Sequence, residues 1–125
     1  MSEAVFHRLD HGAVMAWLRE YAERELASRP EVEEVRLIGS LARGDWSARS
    51  DADLVVIVDR AAERAPFRSP PYAPHGKVPV SVDIFVYTRE EAQGWSPRFG
   101  AEVGQGVVLY RRGDGQSVPG GERSV

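Results

Sequence analysis

Residues 37–56 read Leu37-Ile38-Gly39-Ser40-Leu41-Ala42-Arg43-Gly44-Asp45-Trp46-Ser47-Ala48-Arg49-Ser50-Asp51-Ala52-Asp53-Leu54-Val55-Val56, and they decide the fold. An apolar strand runs into Gly-Ser, a short Arg-bearing segment follows, and Ser-Asp-x-Asp opens a second apolar strand. Gly39 permits a tight turn and leaves room for a large anion to come close. Ser40 supplies a hydroxyl and an amide at the expected start of a helix, where free N–H groups and the macrodipole favour phosphate. Asp51 and Asp53 lie two apart at a strand start, so their side chains share one face. Carboxylates that close repel one another unless a cation sits between them.

Working outward, Val32–Ile38 reads as the first strand, with Val32, Val35, Leu37 and Ile38 as its apolar members. Ala52–Val58 is nearly all apolar, the pattern of a strand buried on both faces in the middle of a sheet. The two acids therefore sit at the rim of a rigid element, which suits a metal site. Upstream, Asp10 to Arg29 has the spacing of an amphipathic helix. Val14, Trp17, Leu18 and Tyr21 form its apolar stripe, widened by Met15, Ala22 and Leu26. Asp10 is the expected N-cap, Pro30 stops the helix, and Trp17 and Tyr21 read as core.

Downstream, the stretch from Asp59 to Lys77 contains four prolines and no periodicity, so it reads as a long loop pinned at most by Phe67 and Tyr72. Val78 to Tyr87 reads as a further strand with Asp83 in its middle. Thr88-Arg89-Glu90-Glu91 is a capping box that should open a short helix fraying around Gly94 to Pro97. Phe99 to Val103 suggests another turn, and Val107 to Tyr110 a last strand. The chain thus divides into a domain over 1–112 and a Gly-, Ser- and Pro-rich tail over 113–125 expected to be disordered.

Asp83 is the sharpest clue outside the opening stretch. A charge between Val82 and Ile84-Phe85-Val86 would cost several kcal/mol if buried alone. Either it lies on the wet face of a half-exposed strand beside an Arg, or its strand neighbours Ala52–Val58 and it joins Asp51 and Asp53 around one or two divalent ions. Carboxylates without His or Cys suit Mg²⁺, with Mn²⁺ as a substitute. Arg43 has two readings as well: it neutralises phosphate, or it braces an acid such as Asp45 or Glu34. His7, His11 and His75 show no ligand spacing and read as surface residues.

Gly39-Ser40, a ten-residue spacer and Asp51-x-Asp53 before an apolar strand resemble the nucleotidyltransferase superfamily typified by DNA polymerase β. The fuller pattern, Gly39-Ser40-x-Ala42-Arg43-Gly44 through Ser50-Asp51-x-Asp53-Leu54, is most similar to the minimal nucleotidyltransferases of bacteria and archaea. The resemblance implies an α+β nucleotidyltransferase fold, a small mixed sheet of three to four strands flanked by helices. It implies Asp51, Asp53 and Asp83 as catalytic metal ligands, and Gly39 and Ser40 as nucleotide-binding residues. The implied reaction moves a nucleoside monophosphate, AMP from ATP or its counterpart from another nucleoside triphosphate, onto an acceptor hydroxyl with release of pyrophosphate. Relatives of this size commonly work beside a small helical protein of the HEPN type, as an antitoxin–toxin pair in which the toxin is adenylylated. Such a protein, or a second copy of this chain, is the expected partner. The alternative is a catalytically inactive binding module that neutralises or regulates a partner by contact.

Composition narrows the classes. The chain has 125 residues, 42% hydrophobic and 28% charged, as expected of one globular domain with a modest core. A net charge of −3 argues against a general grip on nucleic acid or an anionic membrane. Without cysteine there are neither disulfides nor thiolate metal sites. With no apolar run of membrane-spanning length and no leader pattern at Met1, the expected location is the cytoplasm.

Overall fold

The computed structural model describes residues 11–44, 51–59, 70–76 and 78–113. Helix α1 (His11–Tyr21) continues into one π turn (Ala22–Leu26), closed by the Ala27 amide on the Ala22 carbonyl at 2.8 Å. Strand β1 (Val32–Ile38), the single-turn helix α2 (Ser40–Arg43) and strand β2 (Ala52–Val58) follow. A 3₁₀ turn (Pro70–Tyr72) precedes β3 (Val82–Thr88), α3 (Arg89–Ala92), α4 (Pro97–Gly104) and β4 (Val107–Arg111). The strands form one sheet in the order β3-β2-β1-β4. β1 is antiparallel to both β2 and β4, whereas β2 and β3 run parallel, so the sheet is mixed. The expected α+β fold with three to four strands is therefore present, with four strands among the described residues. Among the described residues no helix is long and apolar enough to cross a membrane.

β2 explains its own sequence. Leu54, Val56 and Val58 face the main core with Val14, Leu18 and Leu26 of the helical layer, while Val55 and Ile57 face a second cluster with Ile38 and Val103. A strand covered on both faces leaves no position for a polar residue until its rim. In β1, Val32 and Val35 both reach the main core although they are three apart. A register irregularity between Val32 and Glu34 makes this possible, because an extra residue in a strand resets its two-residue alternation. In α1 and the start of the π turn, Val14, Leu18, Tyr21 and Ala22 form the buried stripe, and half-buried Trp17 stacks on Tyr21 at 5.3 Å. Burial, with the Glu25 charge second, holds the Tyr21 hydroxyl far above its ordinary pKa.

Three boundaries differ from expectation. The first helical stretch ends at Leu26 rather than Arg29, and the expected Asp10 N-cap lies outside the described residues. β3 begins at Val82, four residues later than the apolar pattern suggests. Pro79 has no N–H to give a ladder, and pairing with β2 starts only where Ala52 meets Val82. The capping box at Thr88 and Glu91 is present, but the next helix starts earlier than expected, at Pro97, because Ser96 caps the Phe99 amide at 3.1 Å.

The long connection between β2 and β3 is anchored through Tyr72. The Tyr21 hydroxyl donates to the Tyr72 carbonyl, the Tyr72 hydroxyl donates to Glu31 Oε2 at 2.5 Å, and the Arg29 guanidinium lies 4.6 Å over the Tyr72 ring. Phe67, Lys77, Trp46 and the tail beyond Gly113 lie outside the described residues.

Candidate active site

The site lies where β1 ends, β2 begins and β3 runs alongside. Ile38, the last residue of β1, is the register partner of Asp53. Asp53 is in turn the register partner of Asp83 on the parallel strand β3. Equal positions on adjacent parallel strands project to the same face. Asp53 and Asp83 therefore stand side by side above the second cluster. Asp51, exposed just before β2, follows the same alternation two residues upstream. The Ala52 amide donates to the Ser81 carbonyl at 2.8 Å, which ties the start of β2 to the approach of β3.

Gly39 turns the chain out of β1 with φ 88° and ψ −161°, a conformation close to exclusive to glycine. A Cβ built there would lie 2.9 Å from Asp53 Oδ2. The glycine of the motif is thus required twice, by its backbone angles and by the acid against it. Ser40 opens α2, which is one turn long, so its macrodipole is small and the local amides and hydroxyl are what the motif offers an anion. The turn uses the Ala42 and Arg43 amides on the Gly39 carbonyl and the Gly44 amide on the Ser40 carbonyl. His11, half-buried rather than free on the surface, braces the turn with its Nε2 3.2 Å from the Leu41 carbonyl.

Electrostatics single out Asp53. Partial burial first, then the negative charges of Asp83, Asp51 and Glu102, hold its carboxyl above the usual carboxylate pKa. This is a cluster of one sign whose members oppose one another's ionisation, the condition that a divalent cation relieves. The donor set, carboxylates alone, fits a hard ion such as Mg²⁺. Among the described residues, however, no three His, Cys, Asp or Glu side chains are gathered closely enough to hold a metal ion. The fold places Asp53 and Asp83 in register and brings Asp51 within electrostatic reach, without closing a ligand shell.

Asp83 is exposed, and so is Phe85 on the same side of β3, at 43%. The cost of a buried charge therefore does not apply to Asp83; its place beside Asp53 is what marks it. Two further residues complete the picture. Arg43 Nη1 lies 3.6 Å from Glu102 Oε2, so Arg43 meets an acid that the sequence reading did not name. Glu34 is engaged by Arg36 and Arg111, and Asp45 lies outside the described residues. Glu102 went unnoticed in the sequence because its one signal, a place in a short helix between Phe99 and Val103, says nothing about what it faces.

Comparison with known proteins bears on the family and the fold. The family model described as "Nucleotidyltransferase domain" matches residues 18–113, well over half of the chain. A solved structure of a candidate nucleotidyltransferase from Sulfolobus solfataricus superposes with a TM-score of 0.59 at 24% identity, covering 82% of this chain and 84% of that one. At that identity the likeness speaks for the fold alone. No curated protein matches the sequence.

Proposed function

Given that the chain belongs to the nucleotidyltransferase domain family, we propose that it transfers a nucleoside monophosphate, AMP from ATP, to an acceptor hydroxyl and releases pyrophosphate. The observation that carries this reading is the register of Asp53 with Asp83, with Gly39 in contact with Asp53 at the end of β1. Gly39 and Ser40 provide the space, the amides and the hydroxyl that hold the triphosphate at the strand end. Asp51 and Asp53 are the residues to hold Mg²⁺ with the nucleotide, and Asp83 the one to share it from the acceptor side. A divalent ion bound there would neutralise phosphate charge and stabilise both the attacking and the leaving oxygen.

Asp83 faces the acceptor because it lies on the exposed edge strand of the sheet. There it can accept the proton of the acceptor hydroxyl as its oxygen attacks the α-phosphorus. One O–P bond forms, the bond to the β-phosphate oxygen breaks, and pyrophosphate leaves with the electron pair. Asp53 sits near the start of the buried strand β2 and against Gly39, so its backbone is placed before substrate arrives. The acceptor is proposed to be a macromolecule, with a HEPN-type helical protein as the partner to test first.

Mass spectrometry of the acceptor after incubation with the protein, ATP and Mg²⁺ tests the reading. A gain of AMP mass with stoichiometric pyrophosphate is expected. A gain of phosphate alone would mean a kinase-like site and overturn the assignment. Neutralisation of the partner without any mass change would favour a contact-only binding module.

A further inference from the structure

Arg43 ends α2, one turn beyond Ser40, and its guanidinium reaches Glu102 of α4. Glu102 also bears on Asp53, where its charge adds to those of Asp83 and Asp51. One carboxylate thus pairs with the guanidinium and adds to the negative charge around the central acid of the site.

The backbones on both sides are fixed. α4 is capped at its start by Ser96, and at its end Arg36 Nη1 donates to the Val103 and Gly104 carbonyls at 3.2 and 3.3 Å. Phe99 and Val103 pack it against Ile38, Val55 and Ile57. Just after α4, a Cβ on Gly106 would come within 2.5 Å of the Leu37 carbonyl oxygen, so the chain there is pressed onto β1. On the other side, His11 braces α2 through Leu41. The two side chains are 55% and 43% exposed. An ion pair that open to water is weak, so a stronger anion displaces its carboxylate.

We infer that Glu102 is a positioning residue that sets nucleotide affinity: it occupies the Arg43 guanidinium while the site is empty and yields it to the triphosphate on binding. This rests on the nucleotide site proposed above. Glu102 acts through Arg43, so a triphosphate with its accompanying cation wins the exchange where a weakly charged anion does not.

Titration calorimetry with ATP and excess Mg²⁺ tests the exchange. Glu102→Gln should bind two- to five-fold more tightly than wild type, roughly the worth of one exposed ion pair. Glu102→Asp, which keeps the charge, should return the affinity toward wild type. Arg43→Gln should bind more weakly, and adding Glu102→Gln to it should recover little, because the two act on one contact. Glu102→Ala, with melting measured without ligand, serves as a second variant should Gln perturb α4. Unchanged or weaker binding by Glu102→Gln, or the same gain in the Arg43→Gln background, overturns the exchange. Wild-type protein that does not bind ATP with Mg²⁺ overturns the nucleotide site itself and this inference with it; wild-type binding without the Glu102→Gln gain overturns the inference alone.

Discussion

Gly39→Ala separates backbone strain from damage to the site. At φ 88° and ψ −161° an alanine is strained by about 1–3 kcal/mol. Its methyl would also lie 2.9 Å from Asp53 Oδ2. That atom is the free end of a side chain, so the contact is relieved by turning Asp53 away rather than by moving β2. The stability loss is therefore close to the strain alone, a fall in melting temperature of about 4–12 °C for a domain of this size. The functional loss should be larger, because the acid that turns is the one at the centre of the site. Gly44→Ala is the control. It also has positive φ, at 89°, but nothing lies within 4 Å of its Cβ, so it should lose stability without moving Asp53. Differential scanning calorimetry of both variants, with and without Mg²⁺ and ATP, reads the two effects separately. Wild type and Gly44→Ala should be stabilised by the ligands, and Gly39→Ala should not. A Gly39→Ala protein that melts with wild type, or responds to the ligands as Gly44→Ala does, would refute the argument.

Asp53→Asn should stabilise the metal-free protein at neutral pH. Burial and the neighbouring acids raise the folded-state pKa, so ionised Asp53 opposes folding above that value, and the opposition fades as pH falls through it toward the unfolded value. Solvent screening of this half-exposed group limits the gain to below about 1 kcal/mol, and equal or lower melting temperatures than wild type at neutral pH would contradict it. The same variant should lose the stabilisation by Mg²⁺ with ATP, seen as a flat ligand titration in the melting assay. Asp83→Ala should abolish transfer while retaining nucleotide binding, whereas Ser40→Ala should chiefly weaken binding; paired activity and calorimetry measurements distinguish them, and transfer surviving in Asp83→Ala removes that residue from catalysis. Amides of residues 70–76 should exchange faster than those of β2, and Tyr72→Ala, which loses the Glu31 and Arg29 contacts, should accelerate them further; exchange as slow as that of Leu54–Val58 would show a more firmly built segment.

Much of the architecture was legible in the residues themselves. The bounds of β1 and β2 follow from apolar runs ended by Gly39 and by Asp51, and the capping box at Thr88 announces its own helix. Gly39-Ser40 and Asp51-x-Asp53 suggest the proposed anion side and cation side because glycine, serine and paired acids lend themselves to those uses where the backbone turns between strands. What only the tertiary structure decided is which distant residues meet. Whether Asp83 mattered depended on the parallel register of β3 with β2, across a connection of more than twenty residues, which no local pattern encodes. The sequence left open whether Asp83 is buried or lies on a wet face, and the sheet order puts it on an exposed edge strand. That Glu102 meets Arg43 could not be read from the neighbours of either, since Glu102 reaches it only after α4 is packed on the sheet and its end is held by Arg36. Side-chain periodicity and backbone demands are properties of adjacent residues; register and helix placement come from burying surfaces far apart in the chain, so the contacts they create exist only once the core has formed.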